Sequence, residues 1–214
     1  MRTFPLWTKK RYAAAWLSRA DAGGELTYVA LGDSAAQGLG ATTPARGYVG
    51  LLTDIAEEVT GLSVRVLNLS VTGAKAQNVL DTQIPQLAHL TPDLITLAVG
   101  GNDMRKYEAS AFEQTMGAII RSLPPHALIA DVPCFYNGRG EEKSKRASAQ
   151  IRRLADAGGQ PFVDLHAPTE AIAREEYRTH FALDMFHPSD LGYRVWAGAF
   201  EPAWRARLAE LSRT

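Results

Sequence analysis

Five short runs of apolar, β-favouring residues recur along this chain, and each alternates with a stretch of helical periodicity. The runs are Thr27–Leu31, Val64–Leu69, Leu94–Val99, Leu128–Val132 and Phe162–Leu165. Each is almost continuously apolar, the pattern of strands covered on both faces rather than strands with one wet face. Helices are expected between them at about 47–60, 76–89, 109–122 and 143–157, with a last one over about 190–210. Ser189 supplies the N-cap of that last helix, and Leu191, Val195, Ala199 and Ala203 form an apolar row along it. Pro202 is expected to kink or weaken its final turns. The polar stretch Gly138–Ser144 reads as a mobile loop. Strand–helix alternation with short links implies an α/β fold with a parallel sheet between two helical layers. In such sheets ligands bind beyond the carboxyl ends of the strands, so each candidate residue is judged by whether it closely follows a strand.

The 214 residues suit one catalytic domain, placed at 25–214, preceded by a basic extension over 1–24. Arg2, Lys9, Lys10, Arg11 and Arg19 precede any acid, but the apolar stretch behind them, Tyr12–Leu17, is too short for a secretory signal. The extension is expected to be a short amphipathic helix outside the main fold, with Trp7, Trp16 and Leu17 packing on that fold. No apolar run reaches the ~20 residues of a membrane span. The expectation is therefore a cytoplasmic protein without membrane contact. Basic and acidic side chains balance at 23 each, which removes the electrostatic footprint of a nucleic-acid binder. One cysteine, Cys134, rules out an internal disulfide and a Cys-rich zinc site.

The first run ends in Gly32-Asp33-Ser34-Ala35, which places a serine at the open end of the sheet. A serine hydroxyl needs a base within hydrogen-bond reach and a third group to orient that base. Asp184-Met185-Phe186-His187 offers both, since an Asp three residues before a His can hold one ring nitrogen while the other faces the serine. Gly73, after the second run, can present a backbone N–H to a developing oxyanion, and Asn102, in Gly100-Gly101-Asn102-Asp103 after the third, can present a side-chain amide. Asp33 and Asp103 are expected to make local backbone hydrogen bonds. Asp164 and His166 form a rival acid–base pair, disfavoured because neighbours two apart in extended chain point in parallel. His89, His126 and His180 read as surface or packing residues, and Cys134 as a small apolar filler.

Taken in this order, the Gly-Asp-Ser, Gly73, Gly-x-Asn-Asp and Asp-x-x-His blocks resemble the GDSL or SGNH hydrolases over residues 32–187. The resemblance implies a flavodoxin-like three-layer sandwich with a five-stranded parallel sheet of order 2-1-3-4-5. It also implies a catalytic triad of Ser34, Asp184 and His187, and an oxyanion hole built from the Ser34 and Gly73 backbone N–H groups and the Asn102 amide. Ala35 replaces the family's leucine after the nucleophile, a departure of little consequence at that position. The implied activity is hydrolysis of small carboxylic esters through an acyl-enzyme. Short acyl chains are expected, because no insertion is large enough for a lid, and Phe135 and Tyr136 are expected to wall the pocket. No metal or organic cofactor is implied. Sugar-acetate or thioester hydrolysis uses the same machinery, and a non-catalytic binding module is the reading from another class. The oligomeric state is left open.

Overall fold

A computed structural model describes residues 6–136 and 138–213; within the first helix, the side chains of Leu6, Trp7 and Lys9 lie outside the description, and with them the expected packing of Trp7. The strands are β1 (Leu26–Gly32), β2 (Val64–Asn68), β3 (Leu94–Ala98), β4 (Leu128–Ala130) and β5 (Phe162–Val163). All pair in parallel, in the order β2-β1-β3-β4-β5. The register sets Tyr28 beside Leu94 and Gly32 beside Ala98, so the serine turn leaves the sheet at its centre. Near-continuous burial along β1 and β3 is what their unbroken apolar runs demanded.

One face of the sheet is covered by α1 (Leu6–Asp21), α2 (Tyr48–Thr60) and α7 (Asp190–Leu211), whose buried side chains join Tyr28, Ala30 and Leu94 in one core. The other is covered by the segment 76–89 with α4 (Ala109–Arg121) and α5 (Gly138–Gly158), packed on Val29, Leu31, Ile95 and Leu97. A shorter helix, α6 (His166–Glu170), follows β5. The result is the expected three-layer sandwich.

Several elements depart from expectation for identifiable reasons. The basic N-terminal segment is helical but is no appendage: Tyr12 and Trp16 are buried at 3% and 4% exposure, whereas Leu17, expected to pack, points outward at 66%. The buried stripe of α7 is Gly192, Tyr193, Trp196, Phe200, Trp204 and Leu208, not the Leu191 row. The large aromatic rings remove more apolar surface from water than the aliphatic row, at roughly 25 cal/mol per Å², so they choose the inward face and leave Leu191 exposed. The helix continues through Pro202 to Leu211, and Trp204 beyond the proline stays buried, with its Nε1–H donating to the Leu52 carbonyl at 2.9 Å. Gly138–Ser144 is not a loop, because α5 begins at Gly138. Ser144 donates to the Pro133 carbonyl at 2.7 Å, and Lys145 in the next turn bridges to Glu170 at 2.6 Å.

The segment 76–89 is helical but irregular. Three residues of α3 (Ala76–Asn78) pass into a π turn, Val79–Gln83, and a 3-10 turn, Ile84–His89. Pro85 carries no N–H, so a regular α ladder cannot run through it. The π turn delivers the fully buried Gln83 to the end of β1. There its amide accepts from the Gly32 N–H at 2.9 Å and donates to the Gly32 carbonyl at 2.8 Å. Gly32 itself is obligatory: at φ 148° an added Cβ would meet the Ala98 carbonyl oxygen at 2.2 Å.

Candidate active site

The turn 33–42 is fastened from several sides. Asp33 Oδ1 accepts from the Ala35 N–H at 2.9 Å. The Trp16 indole donates to the Gln37 carbonyl at 3.1 Å, and the Tyr12 hydroxyl to the Ala41 carbonyl at 2.5 Å. From α7, Tyr193 donates to the Leu39 carbonyl at 2.6 Å, and Asp190 accepts from Thr42 N–H and Oγ1 at 2.7 and 2.8 Å. These bonds hold Ser34, 4% exposed, in a defined direction.

The turn that carries His187 closes against the same segment. The Ala182 N–H donates to the His187 carbonyl at 2.8 Å, and the Ser189 N–H to the His180 carbonyl at 2.9 Å. Gly40 permits the approach, since a Cβ there would stand 2.8 Å from His187 Cβ and 2.3 Å from the Pro188 carbonyl oxygen. Asp184 Oδ1 accepts from the Phe186 and His187 N–H groups, each at 3.0 Å. Its Oδ2 accepts from His187 Nδ1 at 2.6 Å. With that proton held on Nδ1, Nε2 presents its lone pair to Ser34 Oγ at 2.9 Å. A hydroxyl, an imidazole and a carboxylate thus form one unbroken chain, the arrangement that can generate an alkoxide nucleophile.

Asn102 stands in the turn after β3, the strand beside β1, next to Gly101, which lines the cavity. Its Nδ2 donates to Asp33 Oδ2 at 3.1 Å and to the Ala74 carbonyl at 3.0 Å, which ties together the turns after β1, β2 and β3. Gly73, exposed at φ 81°, precedes Ala74 in the same turn. Asp103 accepts from the Ala76 N–H at 3.1 Å, a backbone partner 27 residues away rather than the local one expected of it. Asp33 accepts from Asn102 as well as from its own turn, so it does more than cap that turn. Burial pushes the Asp33 carboxyl up to about 7, against the hydrogen bond from Ala35 and with the nearby Asp103 charge. Burial also raises the Asp103 carboxyl.

In front of Ser34 and His187 opens a cavity of about 200 Å³. Phe135 and Tyr136 both line it. Tyr136 sits at φ 55°, and its hydroxyl donates to the Thr169 carbonyl. Phe135 also packs into the core beneath α4 and α5, so it serves the wall and the core at once. Ile172, Tyr177, Phe181, Met185 and Phe186, none of them a sequence candidate, also line the cavity, as does His180, so that histidine is more than a surface or packing residue. Tyr177 and Phe181 sit with ring centroids 4.6 Å apart, and Tyr136 meets Tyr177 edge-on at 4.8 Å. The only foretelling signal was the density of aromatic rings in a stretch without helical or strand periodicity.

The rival pair separates. Asp164 accepts from Arg152 at 3.0 Å and from the Ala167 N–H at 2.9 Å. His166 is buried between the Val132 carbonyl, 3.0 Å from Nδ1, and Glu141 Oε1, 2.8 Å from Nε2. Cys134 is no passive filler, because its Sγ lies 3.2 Å from Glu141 Oε2. Burial pushes its thiol up to about 12, with the Glu141 carboxylate acting in the same direction. His126 packs against the Pro92 carbonyl.

A parallel sheet of this order between two helical layers, with a serine, a histidine and an aspartate converging at its carboxyl edge, is the frame of an α/β-sandwich hydrolase. The chain belongs to the GDSL-like lipase/acylhydrolase family, whose model matches residues 30–195, and it is a carboxylic ester hydrolase. An acetylxylan esterase of Geobacillus stearothermophilus is 23% identical over 172 residues, 72% of this chain and 78% of that protein. The fold matches the crystal structure of Axe2, an acetylxylan esterase from Geobacillus stearothermophilus, at a TM-score of 0.69 and 19% identity, over 85% of this chain and 95% of that one. It also matches LAE5, an α/β hydrolase enzyme from the metagenome of Lake Arreo, Spain, at a TM-score of 0.71 and 18% identity, over 85% and 96%. Among the described residues no helix is long and apolar enough to cross a membrane.

Proposed function

We propose that Ser34 is the nucleophile, His187 the general base and acid, and Asp184 the group that fixes the imidazole tautomer. The observation that carries this reading is the continuous chain Ser34 Oγ–His187 Nε2 at 2.9 Å and His187 Nδ1–Asp184 Oδ2 at 2.6 Å. Ser34 Oγ forms a bond to the ester carbonyl carbon as its proton passes to Nε2. The oxyanion is met by the Ser34 and Gly73 backbone N–H groups and by the Asn102 amide. That amide already serves Asp33 and Ala74, so it shares one hydrogen in a three-centre bond as charge builds. Collapse expels the alkoxide, which takes the proton from Nε2. Water then repeats the cycle on the acyl-enzyme and frees the carboxylic acid.

The substrates are esters of short acids. A cavity of about 200 Å³ is close to the ~150 Å³ that accommodates benzene, enough for an acetyl or butyryl group beside the reacting carbonyl and too little for a long chain. Tyr136, Tyr177 and Phe181 form a contiguous aromatic cluster in the cavity wall, a surface suited to an acetylated sugar. The likeness to an acetylxylan esterase supports that second reading. The test is a panel of acetyl, butyryl and octanoyl esters of one phenol together with a peracetylated xyloside, each run with the wild type and Ser34→Ala. The reading expects wild-type turnover on the short esters and none in the variant. Wild-type rates no higher than those of Ser34→Ala on every member would remove the enzyme assignment and leave a binding module.

A further inference from the structure

Beside the cavity, whose lining includes Cys134, three residues from three separate segments converge. Cys134 leaves β4, Glu141 stands in the first turn of α5, and His166 opens α6. One donor atom from each, Cys134 Sγ, a Glu141 carboxylate oxygen and a His166 ring nitrogen, all lie within 4.8 Å of one another. Cys134 and His166 are buried at 7% and 8% exposure, and the Glu141 side chain is 17% exposed.

The orientation of each donor is fixed by a second interaction. His166 Nδ1 lies 3.0 Å from the Val132 carbonyl and 3.2 Å from Ser144 Oγ, which assigns the Nδ1 proton to the carbonyl and aims Nε2 inward. This is how metal-binding imidazoles are usually held. Nε2 nonetheless faces a carboxylate oxygen at 2.8 Å, so that contact needs a proton or a cation between the two atoms. Glu141 Oε2 accepts from the Phe135 N–H at 2.8 Å. The Tyr136 backbone N–H points at the Cys134 sulfur. Lys145 is 3.6 Å from Glu141 Oε1, but its closer partner is Glu170 at 2.6 Å.

We propose that Cys134, Glu141 and His166 bind one thiophilic divalent cation of the Zn²⁺ class, which ties the cavity wall at Phe135 and Tyr136 to α5 and α6. The chemistry and the size both fit. A thiolate, a carboxylate and a neutral imidazole carry two negative charges, which a divalent ion cancels inside the protein. Tetrahedral bonds of about 2.0–2.3 Å space donor atoms about 3.3–3.6 Å apart. The Nε2–Oε1 separation of 2.8 Å opens toward that range, and any wider spacing within the 4.8 Å set closes toward it, by side-chain rotation without movement of the backbone. On binding, the thiol proton and the proton between Nε2 and Oε1 pass to solvent. The fourth position is left to water, as in three-ligand zinc sites. The triad makes no use of this site.

Cobalt titration of the chelator-washed protein tests this. One equivalent of Co²⁺ should bind and give the thiolate-to-cobalt charge-transfer absorption. That absorption should vanish in Cys134→Ser, and excess Zn²⁺ should bleach it in the wild type. Glu141→Gln, which keeps an acceptor for the Phe135 N–H, should weaken binding by at least about tenfold; it serves as the readout if Cys134→Ser does not fold. No charge-transfer absorption at one equivalent, or absorption and affinity unchanged in the variants, would show that the cluster is a hydrogen-bond network only and overturn the proposal.

Discussion

Replacing Asp33 by asparagine should change how stability depends on pH. Asp33 is 8% exposed; burial raises the titration of the nearby Tyr48 and Tyr193 phenols, and the Asp33 charge adds to it. Burial moves its own titration up to about 7, well above the ordinary carboxylate value of about 4. The folded chain therefore keeps a proton that the unfolded chain releases between about pH 4 and pH 7. Stability from this group is full below about pH 4 and falls as pH rises through that window. Roughly three units at ~1.4 kcal/mol each make the loss about 4 kcal/mol. Asparagine cannot ionise, so this pH-dependent loss disappears in Asp33→Asn. Its amide does turn a donor toward Asn102 Nδ2, a pH-independent cost of about 1–3 kcal/mol. Urea melts of both proteins at pH 4.5 and pH 8 separate the two effects. The variant should be the less stable at pH 4.5 and should equal or exceed the wild type at pH 8, with a fall in kcat at both because Asn102 loses its acceptor. Parallel stability profiles would refute the assignment of a buried, near-neutral titration to Asp33.

Asn102→Ala should lower kcat by about 10²–10³ with KM little changed, measured on a phenyl acetate series, if its amide acts on the oxyanion; a raised KM with intact kcat would make it a substrate-binding group. Asp184→Asn keeps an acceptor for the Phe186 and His187 N–H groups but turns a donor toward Nδ1, so kcat should fall by about 10⁴ while circular dichroism stays native; a fall of tenfold or less would deny it the orienting role. Phe135→Ala should narrow the preference for acetyl over octanoyl esters, since each methylene accepted is worth roughly 1–3 kcal/mol; an unchanged ranking would assign the ring to the core alone.

The parts of this molecule that were legible in the sequence are those set by local chemistry. Buried strands announce themselves by unbroken apolar runs, and Ser34, Gly73, Asn102 and the Asp184–His187 pair each stand next to an element boundary. What stayed hidden depends on long-range packing. The start of α5 was masked because Gly138–Ser144 is polar, as any helix end facing water is, and its anchors at Pro133 and Glu170 lie elsewhere in the chain. The buried face of α7 was misplaced because an aliphatic row and an aromatic row both fit a helical period, and only the sheet beneath selects Tyr193, Trp196 and Phe200. The wall built from Ile172 to Phe186 has no period to read, and the Cys134, Glu141 and His166 cluster joins segments up to 32 residues apart in numbering.

The central claim is that Ser34 is the single covalent nucleophile, and a fluorophosphonate probe tests it most directly. The intact wild-type protein should gain one phosphonyl increment in mass, mapped by digestion to the peptide that carries Ser34, at a rate that collapses in His187→Ala. Ser34→Ala should gain none. Adducts that persist in Ser34→Ala, or that map to Ser70, Ser144 or any other serine, would contradict the account.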